Sequence, residues 1–279
     1  MRSLDALIVG AGPAGIGMAL ALDRIPGLKY GVLESYRIGE SFRRWPAQTR
    51  LITPSFHSNP FGLADLNAVS EASSPAIFAG AEHLSGQQYA DYLSFVADAH
   101  ELPIACSCKV LEATAEAGGG FHLLTERGTL RTRFLIWATG EYLFPDLNPF
   151  PGGQWGQHYA QTADWQALAP GRYTVIGGYE SGVDAAVNLL GLGHAVRLLA
   201  RRPTWDLPDI YDPSQALSPY TRERLREIES SDRLEIIFGA NVVAVSQAAG
   251  GGFRSEFSED VARTNNELVR GYKAIQNEF

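Results

Sequence analysis

Three glycines, Gly10, Gly12 and Gly15, stand in the spacing G-x-G-x-x-G at the end of an apolar run, LDALIV. An acid, Glu34, follows Gly10 by 24 residues and closes a second apolar run, Tyr30 to Leu33. These residue types at this spacing suit a pyrophosphate and the sugar beside it. The first glycine permits a tight turn, the second lets the backbone approach the phosphates, and the third lets a helix pack closely on a strand. The amides at the start of that helix face the negative charge, and a carboxylate about twenty residues on accepts hydrogen bonds from ribose hydroxyls. The pattern is that of a dinucleotide site, with Pro13 and Ala14 inside its turn. Positioning it requires a strand through Leu7, Ile8 and Val9 buried on both faces, an Ala/Leu-rich helix from Pro13, and a second parallel strand ending at Glu34.

The unit recurs 167 residues later without a gap, so that Gly10 falls on Gly177, Gly15 on Gly182 and Glu34 on Arg201. A strand through Tyr173, Thr174, Val175 and Ile176 enters Gly177, Gly178, Tyr179, Glu180, Ser181 and Gly182. A helical stretch from Val183 to Leu190 leads on to Ala195–Ala200, followed by Arg201 and Arg202. The terminal residues of the two units carry opposite charge. Glu34 suits a free ribose diol, whereas Arg201 and Arg202 suit a 2′-phosphate, so the second nucleotide is expected to be NADPH. Two solvated arginines at a strand end are the plainer reading. Tyr179 stands where the second glycine belongs and restricts approach to a pyrophosphate, with Gly178 as partial compensation; without it, the second nucleotide would bind weakly or transiently.

The rest of the chain reads as support. Ser35 to Gly80 has little periodicity but carries Phe42, Trp45, Phe56 and Phe61 as apolar anchors, so it is expected to be a loop ordered over a ligand. Ser85 and Gln88 form a capping-box pattern ahead of a helix. Lys109–Ala115, Phe121–Thr125 and Thr129–Trp137 read as a small antiparallel meander that ends in FLIWATG, whose Thr139 and Gly140 form a small-residue turn beside a cofactor. The proline- and glycine-rich stretch from Glu141 to Gly171 suggests a boundary, giving domains at 1–145, 146–250 and 251–279. A helix is expected over Ser218 to Glu229. The last segment, with Val261, Leu268, Tyr272 and Ile275 on one face, reads as an amphipathic C-terminal helix that packs at home or joins a homo-oligomer or partner subunit.

Composition narrows the partners. A net charge of −8 leaves no basic excess for nucleic acid. No apolar run approaches the ~18 residues of a membrane span, and Asp5 interrupts any secretory pattern. The two cysteines, Cys106 and Cys108, have neither dithiol nor metal spacing and are expected to be structural, in a cytoplasmic protein without a metal site.

Taken together, GAGPAG with Glu34, FLIWATG, and VIGGYESGVDAA followed by ARRP resemble the flavoproteins with two dinucleotide-binding domains. GESFRRWP, RLITPSFHSNPFGLADLNA, SGQQYADYL and DPSQALSPYTRERL resemble, within that group, the flavin-containing monooxygenase-like proteins termed CzcO-like. The likeness covers most of residues 4 to 247. It implies an α/β fold of two Rossmann-like βαβ domains with FAD in the first, contacted by Gly10, Gly12, Pro13, Ala14, Gly15, Glu34 and Ser35. It also implies that Ser41, Arg44, Trp45 and Thr53 lie towards the flavin, Val110 near the adenine, and Thr139 and Gly140 at the turn between domains. Phe150, Gly152 and His158 partly match the F-x-G-x-x-x-H fingerprint of flavin monooxygenases, with five residues rather than three before the histidine; a structural role for His158 in the linker is equally expected. Full-length members resume the first domain after the second, and SEDVARTNNELVRGYKAIQNEF does not match that segment, so the chain is expected to be truncated, diverged or completed by another subunit.

The activity implied is that of an FAD-dependent, NADPH-using oxidoreductase of monooxygenase type acting on a small molecule. The cofactor carries the chemistry, so no catalytic acid or base is assigned, and His57, Asn59 and His158 stand as polar residues in loops. The alternatives are a flavin reductase of a small disulfide or quinone, or a non-catalytic nucleotide-binding subunit with an incomplete FAD site.

Overall fold

The computed structural model describes residues 3–58, 60, 62–202, 205, 216–249, 252–260 and 270–276. Two compact units result, one of Met1–Trp45 with Thr53–Phe144, the other of Pro46–Ile52 with Pro145–Phe279.

In the first unit, β1 (Ser3–Val9) leads through the glycine turn into α1 (Pro13–Asp23) and back to β2 (Tyr30–Leu33). Leu7 and Ile8, which point to opposite faces of the strand, are at most 1% exposed, so β1 is covered on both faces. β1 is parallel to β2, with Ile8 opposite Val32. After α2 (Glu40–Arg43) and α3 (Pro75–Ala79) comes α4 (Gly86–Ala99), whose start carries the expected reciprocal box: the Ser85 hydroxyl accepts from the Gln88 amide, and the Gln88 side chain accepts from the Ser85 amide. β3 (Ile104–Ala105), β4 (Val110–Ala115), β5 (Phe121–Thr125) and β6 (Gly128–Trp137) complete a sheet of order β3-β2-β1-β6-β5-β4. β6 belongs to both halves. Its first part pairs antiparallel with β5, and its later residues run parallel to β1, with Ile8 opposite Ile136. The meander and the strand entering Ala138-Thr139-Gly140 are therefore one continuous element.

In the second unit, β7 (Arg172–Ile176), α5 (Glu180–Gly191) and β8 (Ala195–Ala200) repeat the βαβ pattern; α6 (Pro219–Ile228) and β9 (Leu234–Phe238) extend it. β7, β8 and β9 are parallel, in that order. Val183, Ala186, Leu189, Val196, Leu198 and Leu225 form the core with Trp165. Ser218 caps α6 and Pro219 begins it, as its sequence suggests.

The C-terminal helix expected within 251–279 is not seen among the described residues, which form strands instead. β10 (Ala240–Gln247), β11 (Phe253–Asp260) and β12 (Arg270–Gln276) make an antiparallel sheet, with Val242 opposite Phe257 and Phe257 opposite Lys273. The reason is period. Ser255 and Phe257 are buried while Glu256 between them is exposed, an alternation of two residues that suits a strand, and the other edge of β11 pairs with Arg270–Gln276. Val261 and Leu268 of the expected helical face lie outside the described residues.

Candidate functional site

In the first unit the carboxyl ends of β1, β2 and β6 converge on one place. Gly10 has φ +106°, its amide donates to the Leu33 carbonyl at 2.8 Å, and a Cβ there would lie 2.4 Å from the Ala138 carbonyl oxygen. A Cβ on Gly15 would lie 1.9 Å from the Gly10 oxygen, so α1 can begin this close to the strand only at a glycine. Gly12 is different: a Cβ there would meet nothing within 4 Å. The first and third glycines are thus required by protein packing, and the second faces open space, where a ligand phosphate would approach. Pro13 and Ala14 open the helix there, and the first-turn amides of a helix have no acceptors within it.

Glu34 is 9% exposed and bridges two loops. Its Oε2 accepts from the Ala11 amide at 2.8 Å and its Oε1 from the Tyr36 amide at 2.9 Å, so each carboxylate oxygen keeps a lone pair for a ribose hydroxyl. Ser35, beside it, is half-buried. Thr139 and Gly140 lie at the end of β6 against the Gly10 turn; the Thr139 Cα is 3.1 Å from the place of a Gly10 Cβ, and Gly140 has φ +63°.

The loop after Glu34 is held by charges that composition alone did not single out. Glu40, 9% exposed, takes Arg37 and Arg44 at 3.0 Å each. Burial works against its charged form, but the hydrogen bonds from the two guanidinium groups prevail and hold its carboxyl below the usual range. Arg44 is therefore engaged with Glu40, and its guanidinium lies 4.4 Å from the centre of the Tyr36 ring. Ser41 and Trp45 are half-buried, and the Trp45 ring centre is 4.9 Å from Phe42 and 6.2 Å from Tyr142. Further on, Asn67 donates to the Thr53 carbonyl and the Ser55 hydroxyl, Asp65 accepts from the Phe56 amide, and Tyr89 donates to the Asn67 carbonyl. These contacts order a stretch whose sequence shows only aromatic anchors; the signal was Asp65 and Asn67, two turn-forming types in a long loop. Val110 is half-buried and packs against the cluster of Leu7, Val9, Leu33, Cys108 and Leu123. His57 is exposed, and Asn59 lies outside the described residues.

The second unit repeats the turn with one change. Gly177 also has φ +106°, and a Cβ on Gly182 would lie 1.6 Å from the Gly177 oxygen. Gly178, however, faces protein: a Cβ there would lie 2.4 Å from that of Ala200. Its small size serves packing on β8 and does not open the turn as Gly12 does, so the expected compensation for Tyr179 is not seen. The Tyr179 ring is instead drawn aside, its hydroxyl donating to the Ala216 carbonyl at 2.7 Å and its body packed on the core. The Glu180 carboxylate accepts from the Ser218 amide at 2.5 Å and from the Thr221 hydroxyl, which joins the starts of α5 and α6. Ser181 is exposed. At the end of β8, Arg201 is exposed and the Arg202 guanidinium lies 5.2 Å from the centre of the Tyr179 ring. His158 caps a single 3₁₀ turn, its Nδ1 accepting from the Ala160 amide, which is a structural task in the linker.

Residues 7–275 match the family model described as pyridine nucleotide-disulphide oxidoreductase. The chain belongs to this family. FAD and NAD(P)H are its cofactors, and the glycine cradle, the open face at Gly12 and the spare lone pairs of Glu34 fit the first of these. The chain is 27% identical over 193 residues to the uncharacterized oxidoreductase CzcO of Bacillus velezensis, which covers 66% of this chain and 51% of that protein. It thus spans about half the length of that relative. Among solved structures it resembles the bacillithiol disulfide reductase Bdr from Staphylococcus aureus, with a TM-score of 0.73 and 21% identity over all of this chain and 75% of that one. It also resembles a flavin-containing monooxygenase from Stenotrophomonas maltophilia, with a TM-score of 0.64 and 17% identity over 91% and 76%. Among the described residues no helix is long and apolar enough to cross a membrane.

Proposed function

We propose that the chain is an FAD-dependent, NADPH-using oxidoreductase in which electrons pass from flavin to a small molecule directly, in the manner of a flavin monooxygenase. The state of the two cysteines carries the direct transfer, and the likeness to a flavin-containing monooxygenase supports oxygen as the acceptor. Cys108 is 4% exposed inside the apolar cluster of the first unit, and burial pushes the Cys106 thiol up, away from its reactive thiolate form. They flank Ser107, and both are free thiols. A relay through an internal disulfide needs an accessible thiol of lowered pKa to attack and a second thiol to pair with it, so it finds no support in Cys106 and Cys108.

FAD, when bound, supplies hydride acceptance from NADPH and electron delivery to oxygen or another acceptor. The chain's own part is positioning. Gly10, Gly12, Pro13, Ala14 and Gly15 would cradle the pyrophosphate, Glu34 and Ser35 would face the adenosine ribose, and Thr139 and Gly140 would border the same cleft. Gly177 to Gly182 would hold the second pyrophosphate, with Arg201 and Arg202 on the 2′-phosphate. A monooxygenase then consumes NADPH, a proton, O₂ and substrate and releases NADP⁺, water and the oxygenated product. The likeness to a bacillithiol disulfide reductase supports a second reading, in which NADPH and a proton convert one small disulfide into two thiols at the flavin.

Two measurements test this. Under ¹⁸O₂, label incorporated into an oxidised nucleophile supports oxygenation, whereas stoichiometric thiol release from an added disulfide without oxygen uptake replaces it by the second reading. The double variant Arg201→Ala/Arg202→Ala is expected to weaken NADPH about tenfold or more while NADH changes little, since a charge-assisted hydrogen bond contributes about 1.5–3 kcal/mol. Equal losses for both nucleotides overturn the phosphate assignment.

A further inference from the structure

The second position of each glycine turn is extended backbone that any residue adopts. Gly12 has φ −82° and ψ −174°, and Tyr179, its counterpart in the second unit, has φ −119° and ψ −162°. Neither backbone demands glycine, so the residue type is set by what its side chain meets. In the second unit that side chain is tied into the turn. The Tyr179 hydroxyl donates to the Ala216 carbonyl at 2.7 Å, its body packs on the core, and the Trp205 indole N–H donates to the neighbouring Gly178 carbonyl at 2.7 Å. A Cβ on Gly178 would lie 2.4 Å from that of Ala200, so glycine there lets the turn lie against the end of β8, two residues short of Arg202. The Arg202 carbonyl accepts from the Gly239 amide at 3.1 Å, and its guanidinium lies 5.2 Å from the centre of the Tyr179 ring, within the range of a cation–π contact. Arg202 is half-buried, whereas Arg201 beside it is exposed. A ring face attracts the cation without accepting its N–H hydrogen bonds, which lie in the guanidinium plane and match phosphate oxygens.

We propose that Tyr179 is a specificity-determining positioning residue of the second nucleotide site: its ring holds the Arg202 guanidinium in place for the 2′-phosphate and thereby favours NADPH over NADH. The inference rests on the assignment of that phosphate to Arg201 and Arg202. A long side chain loses rotamer freedom when a ligand fixes it, and one ordered beforehand loses less. NADH, with a hydroxyl where NADPH carries the phosphate, gains nothing from the arrangement. Tyrosine in place of the second glycine thus exchanges close approach to the pyrophosphate for selectivity at the adenosine ribose.

Dissociation constants of NADPH and NADH, each read by nicotinamide fluorescence on the full chain, test this through their ratio. Tyr179→Leu keeps apolar bulk and removes the ring face, so its preference for NADPH is expected to fall about three- to tenfold. Tyr179→Gly restores the residue of the first turn and is expected to lose the same preference. An unchanged preference in either variant, above all with both nucleotides tighter in Tyr179→Gly, would make Tyr179 a steric obstacle alone and overturn the proposal; should one variant fail to fold, the other decides. Tyr179→Phe keeps the ring and should stay within about twofold of the wild-type preference. A loss as large as that of Tyr179→Leu would overturn the proposal too. On an Arg202→Ala background, Tyr179→Leu should change both nucleotides alike, because the group that the ring holds is gone; a further selective loss of NADPH there would overturn the route through Arg202. Equal weakening of both nucleotides in Arg201→Ala/Arg202→Ala would sink the phosphate assignment itself, a result distinct from a selective double variant beside an unselective Tyr179→Leu.

Discussion

At the scale of single residues, carboxylates decide how the first site is built. Glu34 serves the protein through two oxygens that tie the Ala11 and Tyr36 amides together, and the lone pairs left over are those proposed above for a ribose. Glu40, at the start of α2, serves the protein through Arg37 and Arg44. The structural half of the Glu34 role can be measured without any cofactor. Glu34→Ala leaves two amides unpaired at about 1–3 kcal/mol each, so the apo protein should melt lower by about 5 °C or more, and Glu34→Gln, which keeps one acceptor, should fall between it and wild type. An apo Glu34→Ala protein as stable as wild type would mean that the two hydrogen bonds carry no weight and that Glu34 acts on ligand alone.

At the scale of elements, each glycine of the turn has its own task, and substitution separates them. Gly15→Ala drives a Cβ to 1.9 Å from a backbone oxygen that cannot swing away, so it should cost folding itself. Gly12→Ala meets open space and should leave the apo melting temperature within about 2 °C of wild type while abolishing FAD retention. A Gly12→Ala protein that keeps its flavin would remove the pyrophosphate from this turn. These elements were legible in the sequence because their causes are local: apolar runs, glycine spacing, and the Ser85–Gln88 box all act within a few residues. The β11–β12 pairing was less so, since four apolar positions at helical spacing competed with an alternation that only the buried Ser255 and Phe257 make plain. Asn67 on Thr53 and Arg202 on the Tyr179 ring depend on groups brought close by folding, and no local pattern announces them. The same holds for the role of Gly178: whether a glycine serves a ligand or a neighbouring Ala200 is decided by which side of the turn its missing Cβ would occupy.

At the scale of the whole molecule, the chain leaves the first unit at Trp45, contributes Pro46–Ile52 to the second, and returns at Thr53. What holds that segment is a buried polar network in the second unit. Asp184, on α5, is 7% exposed; its carboxylate takes the Tyr159 hydroxyl and the Arg224 guanidinium at 2.5 Å each and the Thr49 hydroxyl at 3.2 Å, while Thr49 also bonds to Tyr159. Gln48 reaches Asp164 at 2.6 Å, and the Ala47 amide donates to the Ala163 carbonyl at 2.9 Å. α5 is the helix that follows the second glycine turn, so the same element that would face NADPH also fastens a segment continuous in sequence with Trp45 and Thr53. Removing the cation from this network is the sharpest perturbation, because Asp184 is then left buried with hydroxyl donors only. Arg224→Ala should destabilise the second unit by about 3–5 kcal/mol. Hydrogen exchange should report this locally: the Ala47 and Thr49 amides lose protection together with those around Tyr159, whereas the β1 and β6 amides of the first unit keep theirs. If β1 and β6 loosened to the same extent, the chain would be unfolding as one cooperative body, and Pro46–Ile52 would owe its order to the fold as a whole; if Ala47 and Thr49 kept their protection, the Asp184 network would not be what secures them.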